Sequence, residues 1–98
     1  MRFRQIIEFR TSRIDDFTAY FDDWIAASED DRIPHRAVLQ ADRDAEDGYV
    51  FTVEFPSYER AKENSVRPRT GEFARFLGSI SDGGLTFRNL DVVREDDL

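Results

Sequence analysis

The chain has 98 residues, 40% of them apolar, and a length of this kind supports one domain with one hydrophobic core. It has no cysteine and a single histidine, His35, so we expect no disulfide and no thiolate or histidine-cluster metal centre within one chain. The net charge of −7, with the bases scattered, argues against nucleic-acid binding, and the lack of a long apolar run predicts a cytoplasmic protein without a membrane partner.

The first predicted strand covers residues 2–10, where apolar and polar side chains alternate. A period of two is typical of a pleated strand. One side of this strand carries Phe3, Ile7 and Phe9, and the other side mixes Ile6 with charged residues. Both sides of the strand therefore offer apolar contact surface.

A helix follows this strand, because apolar residues from Ile14 onward recur at helical spacing and include Trp24. We expect Ser12 to cap the first turn, since Asp15 stands three residues later, as in a capping box. The helix is expected to end near Asp31.

The next two strands form a predicted hairpin. Residues 35–41 alternate after Pro34, and residues 49–55 alternate again with aromatic and branched side chains on one side. Asp47 and Gly48 lie between the two runs, and Asp-Gly is a frequent hairpin turn. We therefore expect strands two and three to be antiparallel neighbours.

The remaining chain predicts a broken helix and a fourth strand. Ser57 is placed to cap a helix over residues 58–65, Pro68 interrupts it, and helical spacing resumes from Thr70. Residues 85–93 form the last predicted strand.

This βαββαβ order is the ferredoxin-like α+β layout, a four-stranded antiparallel sheet with both helices on one face. Residues 1–94 are assigned to this single domain and residues 95–98 to a disordered acidic tail. The uncovered sheet face would expose aliphatic side chains worth on the order of 10 kcal/mol in gross transfer free energy. These are Ile6, Val38, Val50, Leu90 and Val92. We therefore expect a homodimer that closes sheet against sheet.

One segment also resembles a known family. The run FPSYERAKENS at residues 55–65, followed by Pro68, Thr70, Glu72 and Phe73, is similar to the strand three to helix two region of the dimeric α+β barrel superfamily. The likeness is greatest to small proteins grouped with antibiotic biosynthesis monooxygenases, and it spans nearly the whole chain in element order. It implies a dimeric barrel and, for the monooxygenase members, chemistry on polycyclic aromatics without a cofactor.

The same superfamily contains haem-degrading enzymes, isomerases, sensors and members without known activity. Haem-degrading relatives need an iron-ligating histidine on helix two, and this chain has none between residues 58 and 81. The resemblance therefore disfavours haem turnover and leaves the chemistry otherwise open.

Four residues are candidates for a site between helix and sheet. His35 is the candidate general base, because it alone titrates near neutral pH, and its alternative is a surface histidine at a strand end. Asn64 stands on helix two, where monooxygenase relatives place an asparagine that helps hold substrate and oxygen; its alternative is a helix C-cap. Trp24 and Tyr20 are candidates for lining a ligand pocket, with core packing as the alternative.

Charged residues give a second group of candidates. Arg67 and Arg36 are positioned to receive a carboxylate or phenolate of a ligand, and solvated charge or dimer salt bridges are the alternative. Glu8 and Glu54 share the open sheet face, either as a buried acid pair or as counter-charges to its arginines. We favour the counter-charge interpretation.

Two functions remain compatible with the sequence. The first is a homodimeric, cofactor-independent, monooxygenase-like enzyme acting on a small aromatic or polyketide-like molecule. The second is a non-catalytic dimer that binds a small ligand or serves a structural role.

Overall fold

The computed structural model describes all 98 residues, and its elements follow the order βαββααβ. The elements are β1 (Phe3–Arg10), α1 (Ile14–Ala27), β2 (Arg36–Ala41), β3 (Gly48–Phe55), α2 (Tyr58–Ser65), α3 (Pro68–Ile80) and β4 (Thr86–Asp91). None of the three helices has the length and apolar character needed to cross a bilayer.

The strands form one antiparallel sheet in the order β2-β3-β1-β4. β1 pairs with β3 along its whole length, from Phe3 opposite Phe55 to Arg10 opposite Gly48, and its other edge pairs with β4. Residues opposite each other in an antiparallel pair lie on the same face, so this register assigns every side chain to one of two faces. The predicted ferredoxin-like α+β fold is confirmed, with α2 and α3 as the two parts of the broken helix.

The core lies between the helices and one face of the sheet. Six buried residues form its main cluster, three from the strands and three from α1 and α3: Ile7, Phe9, Phe51, Phe17, Leu77 and Ile80. Phe17 and Phe51 meet edge to face with their ring centroids 5.1 Å apart, a favourable geometry for aromatic pairs. This packing holds the helices against the sheet and leaves the opposite face uncovered.

The start of α1 differs from the prediction. Ser12 does not cap it, because the residue before the helix is Arg13, which makes no side-chain cap bond. The neighbouring Thr11 is fully buried, and its hydroxyl accepts from the Arg13 amide at 2.9 Å and donates to the Ile80 carbonyl at 2.6 Å. The capping-box prediction was therefore wrong, because the turn is fixed to the end of α3 instead.

Two other helix boundaries are shifted. α1 ends at Ala27 rather than near Asp31, because the buried Ser28 begins a turn in which the Asp31 amide donates to the Ser28 carbonyl at 3.2 Å. α3 begins at Pro68 rather than Thr70. Proline suits the first helical position, where no amide donor is required.

The hairpin and the cap of α2 are as predicted. Asp47 adopts a left-handed φ of 58°, and a Cβ on Gly48 would lie 2.9 Å from the Cβ of Ala45, so glycine is required there. The Ser57 hydroxyl accepts from the Arg60 amide at 3.2 Å. β2 and β4 are shorter than predicted, and both form edges of the sheet.

The uncovered sheet face carries the residues that the alternation predicted. Ile6 lies opposite Thr52, and Val38 lies on the far side of that same Thr52. Val38 and Leu90 remain 40% and 37% exposed. Part of the aliphatic side-chain area on this face therefore stays exposed, because no helix covers it.

Glu8 and Glu54 do not form an acid pair. Glu8 lies opposite Val50 and Glu54 lies opposite Arg4, so the two carboxylates are at different ends of the β1–β3 ladder. The counter-charge interpretation describes Glu54, which binds arginines of this face.

The C-terminal residues 95–98 form no regular element, although Glu95 pairs with Arg2 and Arg4. The division into a domain of residues 1–94 and a disordered tail stays a prediction.

Candidate functional site

A cavity of about 240 Å³ lies between the helices and the covered face of the sheet. Its wall is mostly apolar and includes six phenylalanine or tryptophan side chains: Phe21, Trp24, Phe51, Phe55, Phe73 and Phe87. Phe21 and Trp24 are three positions apart on α1, so both point from the same side of that helix. Their rings stack with centroids 5.2 Å apart and planes 8° apart, which gives the cavity a flat aromatic wall.

Three uncharged polar side chains also line the cavity: Gln5, Asn64 and Thr70. None of them forms a side-chain hydrogen bond with another part of the chain, yet no buried polar side-chain atom lacks a partner. Their polar atoms are therefore accessible from the cavity rather than sealed in the core. Free amide and hydroxyl groups beside an apolar wall are what orients a small ligand in a protein pocket.

His35, just before β2, lines the same cavity and is bound to Glu54 of β3 twice. Its amide donates to the Glu54 carbonyl at 3.0 Å, and its Nε2 lies 2.9 Å from Glu54 Oε2. The Glu54 side chain is only 5% exposed and also accepts from Arg4 Nε at 3.1 Å and Arg2 Nη1 at 3.3 Å. The Glu54 carboxylate is thus bound by two guanidinium groups and one imidazole ring.

The charge state of Glu54 determines which ring nitrogen of His35 is free. Burial raises the pKa of Glu54, but the hydrogen bonds from His35 and Arg4 and the positive charges of Arg2 and Arg4 outweigh that effect and lower the pKa below its usual value. An ionised carboxylate only accepts hydrogen bonds, so Nε2 of His35 carries the proton. In the neutral imidazole, Nδ1 is then left as the proton acceptor.

Arginines surround one end of the cavity. The Arg32 guanidinium lies over the Trp24 ring, 5.7 Å from its centroid, and donates to the Ile25 carbonyl at 2.7 Å. Arg67 and Arg69, at the start of α3, both donate to Asp31. The hydrogen bond from Arg69 and the charges of both arginines lower the pKa of Asp31, despite the opposing effect of desolvation.

The structure brings four of the sequence-predicted site residues together: His35, Asn64, Trp24 and Arg36 all line the cavity. The register also places Arg36 opposite Glu54, on the open face. The alternative role of Asn64 as a helix cap is not supported, because the residue that caps α2 is Val66. The functional roles themselves stay predictions.

Two predicted residues do not line the cavity. Tyr20 stacks on Phe76 with centroids 4.1 Å apart, on the side of α1 that faces α3. Arg67 lies beside Asn64 in a small adjoining pocket, and its guanidinium already binds the Asp31 carbonyl. The structure therefore does not place Tyr20 at the site, and it places Arg67 next to the site rather than in its wall.

Three further residues of the cavity wall, Gln5, Thr70 and Arg32, were not among the candidates proposed from the sequence. Gln5 had a usable signal, because it is a polar residue on the apolar side of β1 between Phe3 and Ile7. Arg32 had no such signal in the sequence, because its position over Trp24 depends on the turn after α1. No group of three or more acidic or histidine side chains is arranged to hold a metal ion.

No family model and no curated protein matches this sequence. Solved structures do match it. SnoaB, a cofactor-independent oxygenase from Streptomyces nogalater, shares 16% identity at a TM-score of 0.76, with 97% of this chain and 95% of that chain covered. Rv0793 from Mycobacterium tuberculosis shares 14% identity at a TM-score of 0.75, with 99% and 100% covered.

A further solved structure, described as an antibiotic biosynthesis monooxygenase, matches at 13% identity and a TM-score of 0.71, with 94% of this chain and 99% of that chain covered. These matches span whole chains, so the similarity concerns the complete fold rather than one motif. The resemblance seen in the sequence is thereby confirmed at the level of the fold: this chain folds like the antibiotic biosynthesis monooxygenases.

Proposed function

We propose that the protein is a homodimeric, cofactor-independent, monooxygenase-like enzyme that binds a small aromatic or polyketide-like molecule between its helices and its sheet. The observation that carries this proposal is the cavity, which combines a stacked aromatic wall with amide and hydroxyl groups that have no partner in the protein. The shared fold with SnoaB, a cofactor-independent oxygenase, supports the same proposal.

The size of the cavity limits the ligand. A cavity of roughly 150 Å³ holds benzene, and this one measures about 240 Å³. A ligand of two fused rings therefore fits against Trp24, and a third ring would extend towards solvent. Flat aromatic ligands gain both apolar burial and stacking in such a site.

The chemistry requires a base and a group that stabilises an anion. His35 Nδ1 takes a proton from a phenol or an activated ring methylene, and the Asn64 amide donates to the resulting oxyanion. The electron-rich anion reduces molecular oxygen. A hydroquinone loses two electrons and two protons in this step, which gives a quinone and hydrogen peroxide. For a methylene substrate, one oxygen atom becomes a ring carbonyl and the other leaves as water, with the four electrons supplied by the substrate itself.

The open sheet face supports the homodimer. Val38 on one edge strand and Leu90 on the other are partly exposed on this face, and a second copy packed sheet against sheet would bury them. Light scattering is expected to give twice the chain mass of 11.5 kDa. Val38→Asp is expected to halve the measured mass, whereas Val66→Asp, at an 82% exposed position away from the sheet, should leave it unchanged. A folded monomer of the unmodified protein would contradict the dimer.

The alternative function is a non-catalytic ligand-binding or structural dimer. One observation favours it: the cavity wall contains no carboxylate, so His35 is the single group there able to exchange a proton at neutral pH. A binding site needs no such group.

Oxygen uptake with anthrone and with a naphthohydroquinone separates the two functions. For an enzyme, His35→Gln is expected to lower the uptake rate about 100-fold or more, since general-base catalysis contributes about that much. Asn64→Ala is expected to lower it about tenfold, the effect of one hydrogen bond to a charged group. Asn89→Ala, outside the cavity wall, serves as the control. Ligand binding without uptake would identify the binding module, and neither binding nor uptake would leave only the structural role.

A further inference from the structure

The charges around the cavity are opposite in sign to those of the whole chain. The chain contains 21 acidic and 14 basic residues, yet no aspartate or glutamate lines the cavity, whereas Arg32 does. If the charged residues were spread evenly over the surface, acids would outnumber bases around the cavity. The wall is therefore selectively free of negative charge.

Arg32 is the central cation of this arrangement. Its guanidinium is held in place by the Trp24 ring, by the Ile25 carbonyl and by the Ser28 hydroxyl at 3.1 Å, and no carboxylate lies within salt-bridge distance of it. A guanidinium has five N–H donors, and these contacts use two of them. Arg32 is thus preorganised over an aromatic wall with free donors and an unbalanced charge.

A small pocket of about 10 Å³ adjoins the cavity at this end. Its lining includes Trp24, Arg32 and Asn64, which also line the cavity, and adds Arg67 and Arg69. A volume of that size holds about one water molecule, so it admits one oxygen atom of a polar group and not a ring. Three arginines therefore converge on a recess too small for the body of an aromatic ligand.

We propose that the ligand is an aromatic carboxylic acid. Its ring system lies against Trp24 and Phe21, and one oxygen of its carboxylate points into the recess while the group binds the free donors of Arg32. Arg67 and Arg69 add positive potential, because the two of them share only Asp31 as a counter-charge. A planar carboxylate matches the fork of N–H donors that a guanidinium presents. This inference rests on the proposed function only in that the cavity binds an aromatic ligand; it does not require turnover.

Two probes of the same shape test this proposal: 2-naphthoate, which is charged, and 2-naphthamide, which is neutral. Calorimetry measures both dissociation constants, and the single indole N–H resonance, which belongs to Trp24, reports whether each probe reaches the cavity. The expected result is that 2-naphthoate binds about tenfold more tightly, the effect of a charge-assisted hydrogen bond. Added potassium chloride should weaken the binding of 2-naphthoate and leave 2-naphthamide nearly unchanged.

Two variants test which arginine causes the preference for 2-naphthoate over 2-naphthamide. Arg32→Gln is expected to abolish the tenfold difference and retain 2-naphthamide binding, whereas Arg60→Gln, on an exposed side of α2, should keep the difference. Equal affinity of the two probes in the unmodified protein would overturn the carboxylate proposal and leave the aromatic cavity standing. If neither probe shifted the Trp24 resonance, both the carboxylate proposal and the proposed ligand cavity would fail.

Discussion

Two arginine clusters in this small protein are neutralised to different extents. In the open-face cluster, two arginines meet two glutamates: Arg2, Arg4, Glu54 and Glu95. Each arginine contacts both acids, and one acid, Glu54, is buried. The charges of this cluster are fully balanced within the chain.

The cavity cluster has three arginines and only one acid: Arg32, Arg67, Arg69 and Asp31. Asp31 is exposed and contacts only two of these arginines, and Arg32 has no acidic partner. An unbalanced cluster contributes little to stability and leaves donors free for a ligand. We infer from this difference that the open-face cluster stabilises the fold, whereas the cavity cluster keeps cationic donors free.

Glu54→Gln is expected to give the largest change. The substitution leaves Arg2 and Arg4 without their buried partner and weakens the hold on His35. Because both arginines retain access to water, the loss is expected to be about 1–3 kcal/mol in the free energy of unfolding. Urea denaturation at a fixed protein concentration measures it, and a variant as stable as the unmodified protein would mean that the open-face cluster does not stabilise the fold.

The pH dependence of stability tests whether the ionised form of Glu54 stabilises the fold. The pKa of Glu54 in the folded protein lies below its ordinary value of 4.5, so its contribution is present above that pH and is lost as the pH falls through the lowered pKa. The stability difference between the unmodified protein and Glu54→Gln should therefore shrink between pH 5 and about pH 3. A difference that stayed constant over this range would exclude an ionised Glu54 as its source.

Asp31→Asn tests the cavity cluster with a smaller expected effect. Removing the only counter-charge of Arg67 and Arg69 should increase the affinity for 2-naphthoate about two- to threefold, as expected for one partly screened charge near the site. The affinity for 2-naphthamide should not change. Asp82→Asn, away from these arginines, is the matched control, and weaker binding of 2-naphthoate by Asp31→Asn would contradict the proposed recess.

Glu95→Gln is expected to have the smallest effect. Glu95 contacts the same two arginines as Glu54, but its side chain is 43% exposed. Exposed ion pairs contribute about 0–1 kcal/mol, so the change in the free energy of unfolding should stay below about 0.5 kcal/mol. A loss equal to that of Glu54→Gln would show that burial does not distinguish the two acids.

Local chemistry explains which parts of the fold the sequence could predict. The cap formed by Ser57 and the hairpin turn at Asp47 could be predicted, because each depends only on neighbours within three residues. The Ser12 cap failed because Thr11 bonds to the carbonyl of Ile80, a residue 69 positions away. Long-range contacts of this kind leave no signal in a local pattern.

In the candidate site, too, features set by local sequence could be predicted and features set by long-range contacts could not. Trp24 and Asn64 could be proposed from a helical stripe and from the family resemblance, and both line the cavity. The bond between His35 and Glu54 joins residues 19 positions apart, and it depends on the β2–β3 register and on the two arginines that keep Glu54 ionised. Arg32 depends on the turn after α1. Neither arrangement is encoded in residue type or spacing alone.

We propose that an aromatic ligand occupies the space between the helices and the sheet. Intermolecular nuclear Overhauser effects between 2-naphthoate and assigned side chains test it most directly. We expect contacts from the naphthalene ring to the Trp24 indole and from the carboxylate-bearing ring edge to the Asn64 amide protons. Contacts to Val38 and Leu90 on the open sheet face, without contacts to Trp24, would contradict the account.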